Sequence, residues 1–331
     1  MPPIRVYENL ESIPPNFGPS ALTIGNFDGV HIGHREIFRR VVRIAREHGW
    51  RPSALTFNPH PATIVAPERA PQLLSTPRQR CHWMSEEGIE QVVILPFTQA
   101  FSQLTPEQFC LRFLKDRFQA KAVLIGANFR FGHGHAGDTG SLKRFGEQFG
   151  FLAEIVPSVF YRRRMVSSSA VRRLIARGDL TTANRMLARA YTISGKVVPG
   201  RGIGSVWTVP TLNLQPAAGL LPATGVYITH TTDPDSGRTW KSITNIGCRP
   251  TFDGKETTIE THLLDPLGED TPRNLEVAFL RRLRGEKAFP DAGSLKRQIL
   301  HDVSRARVWY RRAEKWVGRA ARDTLPTSCH Q

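Results

Sequence analysis

A glycine-rich turn leading into an amphipathic helix constrains this chain more than any other stretch. The turn spans residues 25–34 (GNFDGVHIGH) and follows a short apolar run. Beyond it, apolar residues recur every three or four positions over 37–45, which predicts a helix that ends near Gly49. A strand, a glycine turn and a helix leave backbone N–H groups and the positive helix end directed at an anion. We therefore expect a phosphate site, where His31 and His34 can donate hydrogen bonds to phosphate oxygens.

For an isolated His-x-Gly-His pattern, the alternative is an ordinary turn whose histidines only cap the helix. The context favours the functional interpretation, because a turn does not need three glycines with Asn, Asp and two His residues. The stretch resembles the nucleotidyltransferase signature, in the form that bacterial bifunctional riboflavin kinase/FAD synthetases carry. The resemblance implies that His31 and His34 are catalytic in adenylyl transfer. It also implies that the turn binds ATP through Gly25, Asn26, Phe27, Asp28 and Gly29.

Length, composition and charge limit the class of protein. With 331 residues the chain can form two domains, and its 40% hydrophobic and 22% charged residues are typical of soluble proteins. The sequence contains neither an apolar run of roughly 18 residues nor an N-terminal signal segment, so we expect no membrane partner. Its four scattered cysteines favour free thiols in a reducing cytoplasm over disulfides or a zinc site. The net charge of +16 favours phosphate-bearing ligands, or else reflects a solvated basic surface.

Apolar runs alternate with helical patterns up to residue 156. Runs at 53–58, 92–95 and 122–125 are typical of parallel strands that are buried on both faces. The alternation predicts an N-terminal, Rossmann-like domain with a doubly wound parallel sheet. Ligands of such sheets bind beyond the carboxyl ends of the strands, and the motif loops leave these ends.

Two polar loops follow predicted strands. In residues 56–61 (TFNPHP) two prolines force an extended loop around a histidine, although a plain turn is the alternative. This loop resembles the family's flavin loop, which implies flavin binding by Asn58, Pro59, His60 and Pro61. Residues 126–132 (GANFRFG) resemble a further family motif, which implies a catalytic role for Asn128. Its amide can donate to a phosphate or ribose oxygen.

A second nucleotide segment is predicted at residues 162–172 (RRRMVSSSAVR). Serines at a helix start can cap it, and flanking arginines suit a polyphosphate, although a capped surface helix is the alternative. The segment resembles the family's second signature, with Ser169 in place of a threonine. Two signatures in order are more specific than either alone. The resemblance implies ATP binding by Arg164, Ser168, Ser169 and Arg172.

From Tyr191 the pattern changes to short alternating runs rich in Val, Ile and Thr. These runs predict an antiparallel sheet that closes into a small β-barrel, followed by a long amphipathic helix from about Ser294. The predicted strands cover residues 191–198, 225–231, 239–246, 257–264 and 274–283. The predicted divisions are an adenylyltransferase domain at 1–184, a kinase domain at 185–323 and a frayed tail at 324–331.

A second glycine loop, residues 200–204 (GRGIG), precedes a Pro-Thr-x-Asn segment. Such a loop can cradle phosphates while Thr211 and Asn213 hold Mg²⁺, although a turn and a polar strand are the alternative. The segment resembles the riboflavin kinase signature, from which residues 204–209 depart. Glu260 could accept the proton of an attacking hydroxyl, or could be a surface carboxylate. The resemblance implies ATP binding in the kinase by Gly200, Gly202, Gly204 and Pro210.

The resemblance extends from about residue 20 to about residue 310 and implies a flavin-cofactor biosynthesis enzyme. Riboflavin would be phosphorylated with ATP to FMN, and FMN adenylylated with ATP to FAD and pyrophosphate, both with Mg²⁺. The substrates would be small molecules, and a homo-oligomer is left open. Two alternatives come from other classes: a class I aminoacyl-tRNA synthetase, and a basic nucleic-acid-binding protein without catalysis. The chain is short for the former and has no helix-turn-helix, zinc-finger or RNP motif for the latter, so we expect no nucleic-acid partner.

Overall fold

The chain divides into two compact units. The computed structural model describes residues 4–199, 211–217, 219–251, 254–268 and 271–323. One unit contains Met1–Arg172 and Arg185–Ala188, and the other contains Arg173–Asn184 and Arg189–Gln331. The interval 173–188 is thus shared between the units.

The first unit is an α/β fold. Its strands are β1 (Arg5–Tyr7), β2 (Ser20–Ile24), β3 (Arg51–Phe57), β4 (Gln91–Leu95), β5 (Ala120–Gly126), β6 (Leu152–Val156), β7 (Phe160–Tyr161) and β8 (Arg164–Met165). Its helices are α1 (Ile32–His48), α2 (Ala62–Val65), α3 (Pro77–Glu86), α4 (Gln99–Ser102), α5 (Pro106–Phe109), which continues as a π-helix over Cys110–Arg117, and α6 (Thr139–Phe149). Two helices, α7 (Ser168–Ala176) and α8 (Leu180–Leu187), follow.

The main sheet of the first unit is parallel and has the strand order β1-β4-β3-β2-β5-β6. Central β2 pairs with β3 on one side and β5 on the other, with Leu22 opposite both Ser53 and Val123. The chain order reverses between β2 and β5, and open sheets of this kind bind ligands at such a point. The doubly wound fold predicted from the sequence is confirmed.

Side chains of β2 contribute to a core on each face of the sheet. Leu22 and Ile24 pack in one cluster with residues of the neighbouring strands, whereas Ala21 packs in a second cluster with Phe38 and Val41 of α1. This alternation follows from the period of two along a strand. Because both faces are covered, the carboxyl edge of the sheet is left for ligands.

Local signals at helix ends have the predicted effect. Gly49 ends α1 in the left-handed conformation (φ 69°), and its N–H donates to the Ala45 carbonyl. Thr105 and Gln108 form a capping box at the start of α5. The strand predicted at 53–58 is shifted, because β3 spans Arg51–Phe57 and Asn58 begins the following loop.

The second unit is the predicted antiparallel barrel with a terminal helix. Its elements are β9 (Tyr191–Val198), β10 (Thr211–Pro216), β11 (Gly225–Thr232), β12 (Thr239–Thr251), β13 (Gly254–Leu263), β14 (Asn274–Arg284) and α9 (Ala292–Asp323). The strands close in the order β10-β13-β12-β11-β14-β9. Ala306 and Tyr310 of α9 cover the outer face of β11 and β12, where they pack on Val226, Ile228 and Ile243. Within the described residues, no helix combines the length and apolar character that a membrane crossing requires.

Candidate functional site

The first glycine turn is built around two stacked histidines. His31 precedes α1 in an extended conformation, and its Nδ1 accepts the backbone N–H of His34 at 3.3 Å. The two imidazole rings stack with their centroids 3.6 Å apart. Phe27 and Val30 have φ angles of 47° and 35°, which non-glycine residues adopt only where surrounding packing enforces them. The turn therefore holds both histidines at the N-terminus of α1, where a helix favours an anion.

The Asp28 carboxylate joins the glycine turn to two other segments. Its side chain is 3% exposed and accepts hydrogen bonds from the backbone N–H groups of Leu74 and Ser75 and from the Ser75 hydroxyl. Arg172 donates to the same carboxylate at 2.7 Å. The Ser168 hydroxyl donates to the Asp28 carbonyl at 2.9 Å, across 140 positions of sequence. The two predicted nucleotide segments thus meet at one buried residue.

The glycine turn also contacts the proline loop after β3. The Asn26 side-chain amide lies 3.1 Å from Nε2 of His60, and the Ala62 backbone N–H donates to Nδ1 of the same ring. Burial lowers the pKa of His60 below its ordinary value of 6.5, and the positive charge of Arg172 lowers it further. The imidazole is therefore neutral at pH 7. In the same loop Asn58 and Pro59 are exposed and Pro61 is half-buried.

No sequence motif marks Arg80, yet it lies at the junction of these two loops. Its side chain is buried, and Nη1 donates to the Asn26 carbonyl at 2.7 Å. On α3 it shares the buried face with Met84, four positions later. A cation at an apolar position of an amphipathic helix is the signal that could have revealed it.

Asn128 lies in the loop after β5, beside the hairpin β7–β8. Its side-chain nitrogen is 3.8 Å from the Met165 sulfur. Both Asn128 and Arg164 are exposed, as is Ser169 at the start of α7. The Ser167 hydroxyl accepts the Ala170 N–H at 3.2 Å and so caps that helix. Solvent-facing donors thus follow β5 and line the hairpin.

In the second unit, the predicted kinase residues share one face of the barrel. Thr211 and Asn213 alternate along β10 with buried Leu212. Asn213 is paired with Glu260 of β13, and Glu260 is paired on its other side with Asn245 of β12. Because directly opposed residues of adjacent strands share a face, these polar side chains lie in one row.

A cavity of about 650 Å³ lies beside Thr211 and Asn213. Lys196 and Arg273 are among its described lining residues, which include no Asp or Glu. The positive lining suits a polyphosphate. Four predicted nucleotide-binding residues of the kinase lie outside the described residues: Gly200, Gly202, Gly204 and Pro210.

Comparison with known proteins covers both units. A family model for FAD synthetase matches residues 13–170, and one for riboflavin kinase matches residues 187–310. A bifunctional riboflavin kinase/FMN adenylyltransferase from Pseudomonas fluorescens is 36% identical over 307 residues, which cover 92% of this chain and 97% of the relative. The corresponding protein of Escherichia coli K12 is 31% identical over 307 residues, covering 93% and 97%.

A solved structure covers nearly the same span. A crystal structure described as a macrolide-efflux protein from Streptococcus pneumoniae superposes with a TM-score of 0.82 and 27% identity, covering 91% of this chain and 98% of that one. It supports the two-part fold. With both units matched in order, at these identities and over these lengths, the chain belongs to the family of bifunctional riboflavin kinase/FMN adenylyltransferases.

Proposed function

We propose that the chain carries out its two reactions at two separate sites, one in each unit. The activities of the family are phosphorylation of riboflavin with ATP to FMN, and adenylylation of FMN with ATP to FAD. The observation that best supports the first site is the contact of Arg172 and Ser168 with Asp28. This contact brings together the two segments predicted to bind nucleotide, near the point between β2 and β5 where the strand order reverses.

In adenylyl transfer an FMN phosphate oxygen attacks the α-phosphorus of ATP. The bond from that phosphorus to the bridging oxygen breaks, and pyrophosphate leaves with the electron pair. We assign charge stabilisation to His31, His34 and the N-terminus of α1, with Asn128 and Arg164 reaching the phosphates from the neighbouring loop and hairpin. No covalent intermediate with the protein is required. His60 and its loop would hold the flavin.

In the kinase reaction the terminal hydroxyl of riboflavin attacks the γ-phosphorus of ATP, and ADP leaves. We assign Glu260 as the base that takes the hydroxyl proton, since a carboxylate in this row can reach a group held at the same barrel face. The cavity beside Thr211 would hold the nucleotide, where Lys196 and Arg273 supply positive charge.

Mg²⁺ is the cofactor that we propose for the kinase. Thr211 and Asn213 offer a hydroxyl and an amide oxygen on one strand face, and Mg²⁺ prefers oxygen ligands. The described residues contain no group of three or more His, Cys, Asp or Glu suited to a metal ion, so nucleotide phosphates and water would complete the coordination. Bound there, the ion would neutralise phosphate charge.

The cytoplasm is the compartment that we propose. Cys81, Cys110 and Cys248 are free thiols. Burial raises the pKa of Cys110 to about 12, which makes that thiol unreactive. Free thiols are typical of reducing compartments such as the cytoplasm.

Substitution of His34 by alanine tests the first site. His34→Ala should abolish FAD formation from FMN, while the same protein still converts riboflavin to FMN, because the kinase residues lie in the other unit. Products are separated by chromatography after incubation with each flavin and ATP. His48→Ala, at the opposite end of α1, is the matched control and should leave both activities near wild type. Loss of both activities in folded His34→Ala protein would contradict separate sites.

A further inference from the structure

A buried arginine underlies the junction of the glycine turn and the flavin loop. Arg80 is 4% exposed and belongs to α3, which contributes no other residue to the predicted site. Its Nη1 donates to the carbonyl of Asn26 at 2.7 Å, to the hydroxyl of Thr56 at 3.0 Å and to the carbonyl of Phe57 at 3.3 Å. One planar group thus contacts backbone beyond β2 and at the end of β3.

The contacts of Arg80 are linked to one another. The Thr56 hydroxyl, which accepts from Arg80, itself donates to the Asn26 carbonyl at 3.1 Å. The Asn26 side chain in turn lies 3.1 Å from the ring of His60, in the loop that begins directly after Phe57. A displacement of Arg80 would therefore shift both Asn26 in the glycine turn and His60, which is proposed to face the flavin.

The charge of Arg80 is poorly compensated within the protein. Burial lowers the pKa of Arg80, although an arginine stays protonated at pH 7. Asp28 is the nearby negative charge, but its carboxylate is already paired with Arg172. The Nε–H of Arg80 has no hydrogen-bond partner among the described residues. A buried cation is expensive, so a residue with only a packing role would be better served by an apolar side chain of similar length.

We infer that Arg80 is a positioning residue for adenylyl transfer. Its guanidinium fixes the glycine turn against the flavin loop, so that the phosphate of FMN meets the α-phosphorus of ATP at a set distance. The inference rests on the proposed placement of the two substrates in the first unit. Both terminal nitrogens of the guanidinium take part, because Nη2 also donates to the Phe57 carbonyl at 3.4 Å. The planar guanidinium fixes the directions of these donors, whereas a lysine ammonium group does not.

Kinetics of FAD formation test this role in the full-length chain. Arg80→Lys keeps the positive charge but loses the planar guanidinium group, and Arg80→Met loses both. We expect Arg80→Lys to raise the KM for FMN about tenfold and to lower kcat by about 10²-fold, the scale of a small misplacement of reacting groups. Riboflavin phosphorylation by the same samples should be unchanged. Arg78 is exposed on the same helix, so Arg78→Lys and Arg78→Met are the matched controls and should behave as wild type.

The KM value separates positioning from simple support of the fold. A purely structural loss reduces the amount of active enzyme, which lowers the apparent kcat and leaves KM unchanged. Thr56→Val gives a milder version, because it removes the hydroxyl that joins Arg80 to Asn26 while keeping nearly the same shape. It should raise the KM for FMN in the same direction by a smaller factor. An unchanged KM in both Arg80→Lys and Thr56→Val would overturn the inference.

A double-mutant cycle tests whether Arg80 acts through the flavin loop. If it does, Arg80→Lys should add little to the KM for FMN once His60→Ala has removed the contact with Asn26. If the fold-changes in the KM for FMN of the two single variants multiply in the double variant, the two residues act independently, which would contradict the inference. The proposed site itself fails if both His34→Ala and His60→Ala leave FAD formation intact. Arg80 variants that match the Arg78 controls, while His34→Ala is inactive, would refute the positioning role alone.

Discussion

At the scale of single residues, Asp28 is a motif residue whose side chain is buried and binds other parts of the protein around the proposed site. It accepts hydrogen bonds from three donors on residues 74–75 and pairs with Arg172. A carboxylate engaged in this way orders the groups that surround the proposed nucleotide site. The same contacts stabilise the unit, since Asp28 connects segments that are far apart in sequence.

Asp28→Asn should therefore weaken both stability and FAD formation. The substitution leaves the partly buried Arg172 without its carboxylate, and breaking such a pair costs on the order of 3 kcal/mol. Thermal unfolding of the first unit measures the loss, and chromatography measures FAD. Asp116→Asn, on the exposed face of the π-helical segment, is the matched control and should change neither. An unaltered melting temperature for Asp28→Asn would argue that the ion pair is dispensable.

His60 should make the stability of the first unit depend on pH. Because burial and Arg172 hold its pKa below 6.5, the unfolded chain binds more protons than the folded chain between the lowered pKa and 6.5. The contribution of His60 is therefore present above 6.5 and lost as the pH falls through that interval. We expect the stability difference between wild type and His60→Asn to shrink between about pH 7.5 and about pH 5 in denaturant titrations. An imidazole pKa of 6.5 or more by NMR would contradict this.

At the scale of elements, strand register decides which polar side chains of the barrel can act together. The pairing of Asn213 with Glu260, and of Glu260 with Asn245, brings three strands into one row. A slip of one residue would turn each of them to the opposite face. The proposed kinase chemistry therefore depends on barrel closure as much as on the motif.

Glu260→Gln should lower the turnover of riboflavin phosphorylation by about 10²- to 10⁴-fold, the usual contribution of a general base. The KM for ATP should change little, because the amide has the shape of the carboxylate and the nucleotide cavity is untouched. Glu276→Gln on β14 is the matched control and should retain wild-type turnover. If Glu260→Gln also turns over at the wild-type rate, Glu260 is a surface carboxylate and the base lies elsewhere.

At the scale of the whole molecule, the interval 173–188 links the two units along the chain. Its first part, 173–184, belongs to the second unit, and its last part, 185–188, belongs to the first. Asn184 donates to the Phe279 carbonyl at 2.8 Å and accepts the Tyr191 N–H at 2.9 Å. The Ala223 N–H donates to the Ile175 carbonyl. These contacts attach Arg173–Asn184 to the barrel. The domain boundary predicted after residue 184 remains a prediction that fragments can test.

A fragment that begins at Arg173 should be more stable than one that begins at Arg185. The shorter fragment loses the hydrogen bonds of Asn184 and Ile175, each worth about 1 kcal/mol net. Both fragments contain the barrel and α9, so both should make FMN and neither should make FAD. Thermal unfolding and product chromatography measure the two properties. Equal melting temperatures would indicate that the interval does not support the barrel.

The sequence by itself determined the local structure and the identity of the family. A capping box at Thr105, a left-handed glycine at position 49 and apolar periodicity over 37–45 each act within a few residues, so they can be interpreted without the fold. The ordered motifs likewise carry their resemblance in linear form. For this reason the two-part architecture and both activities could be predicted.

Only the tertiary structure decided which distant groups meet. The contact of Asp28 with Arg172, the junction of Asn26 and Phe57 over Arg80, and the attachment of residues 173–184 to the barrel depend on how the chain packs. Periodicity alone assigns the position of Arg80 to a helix face and gives no partner for a charge on it. Partners across tens of residues are selected by burial and by hydrogen-bond satisfaction throughout the fold, because an uncompensated buried group is costly wherever it lies in sequence.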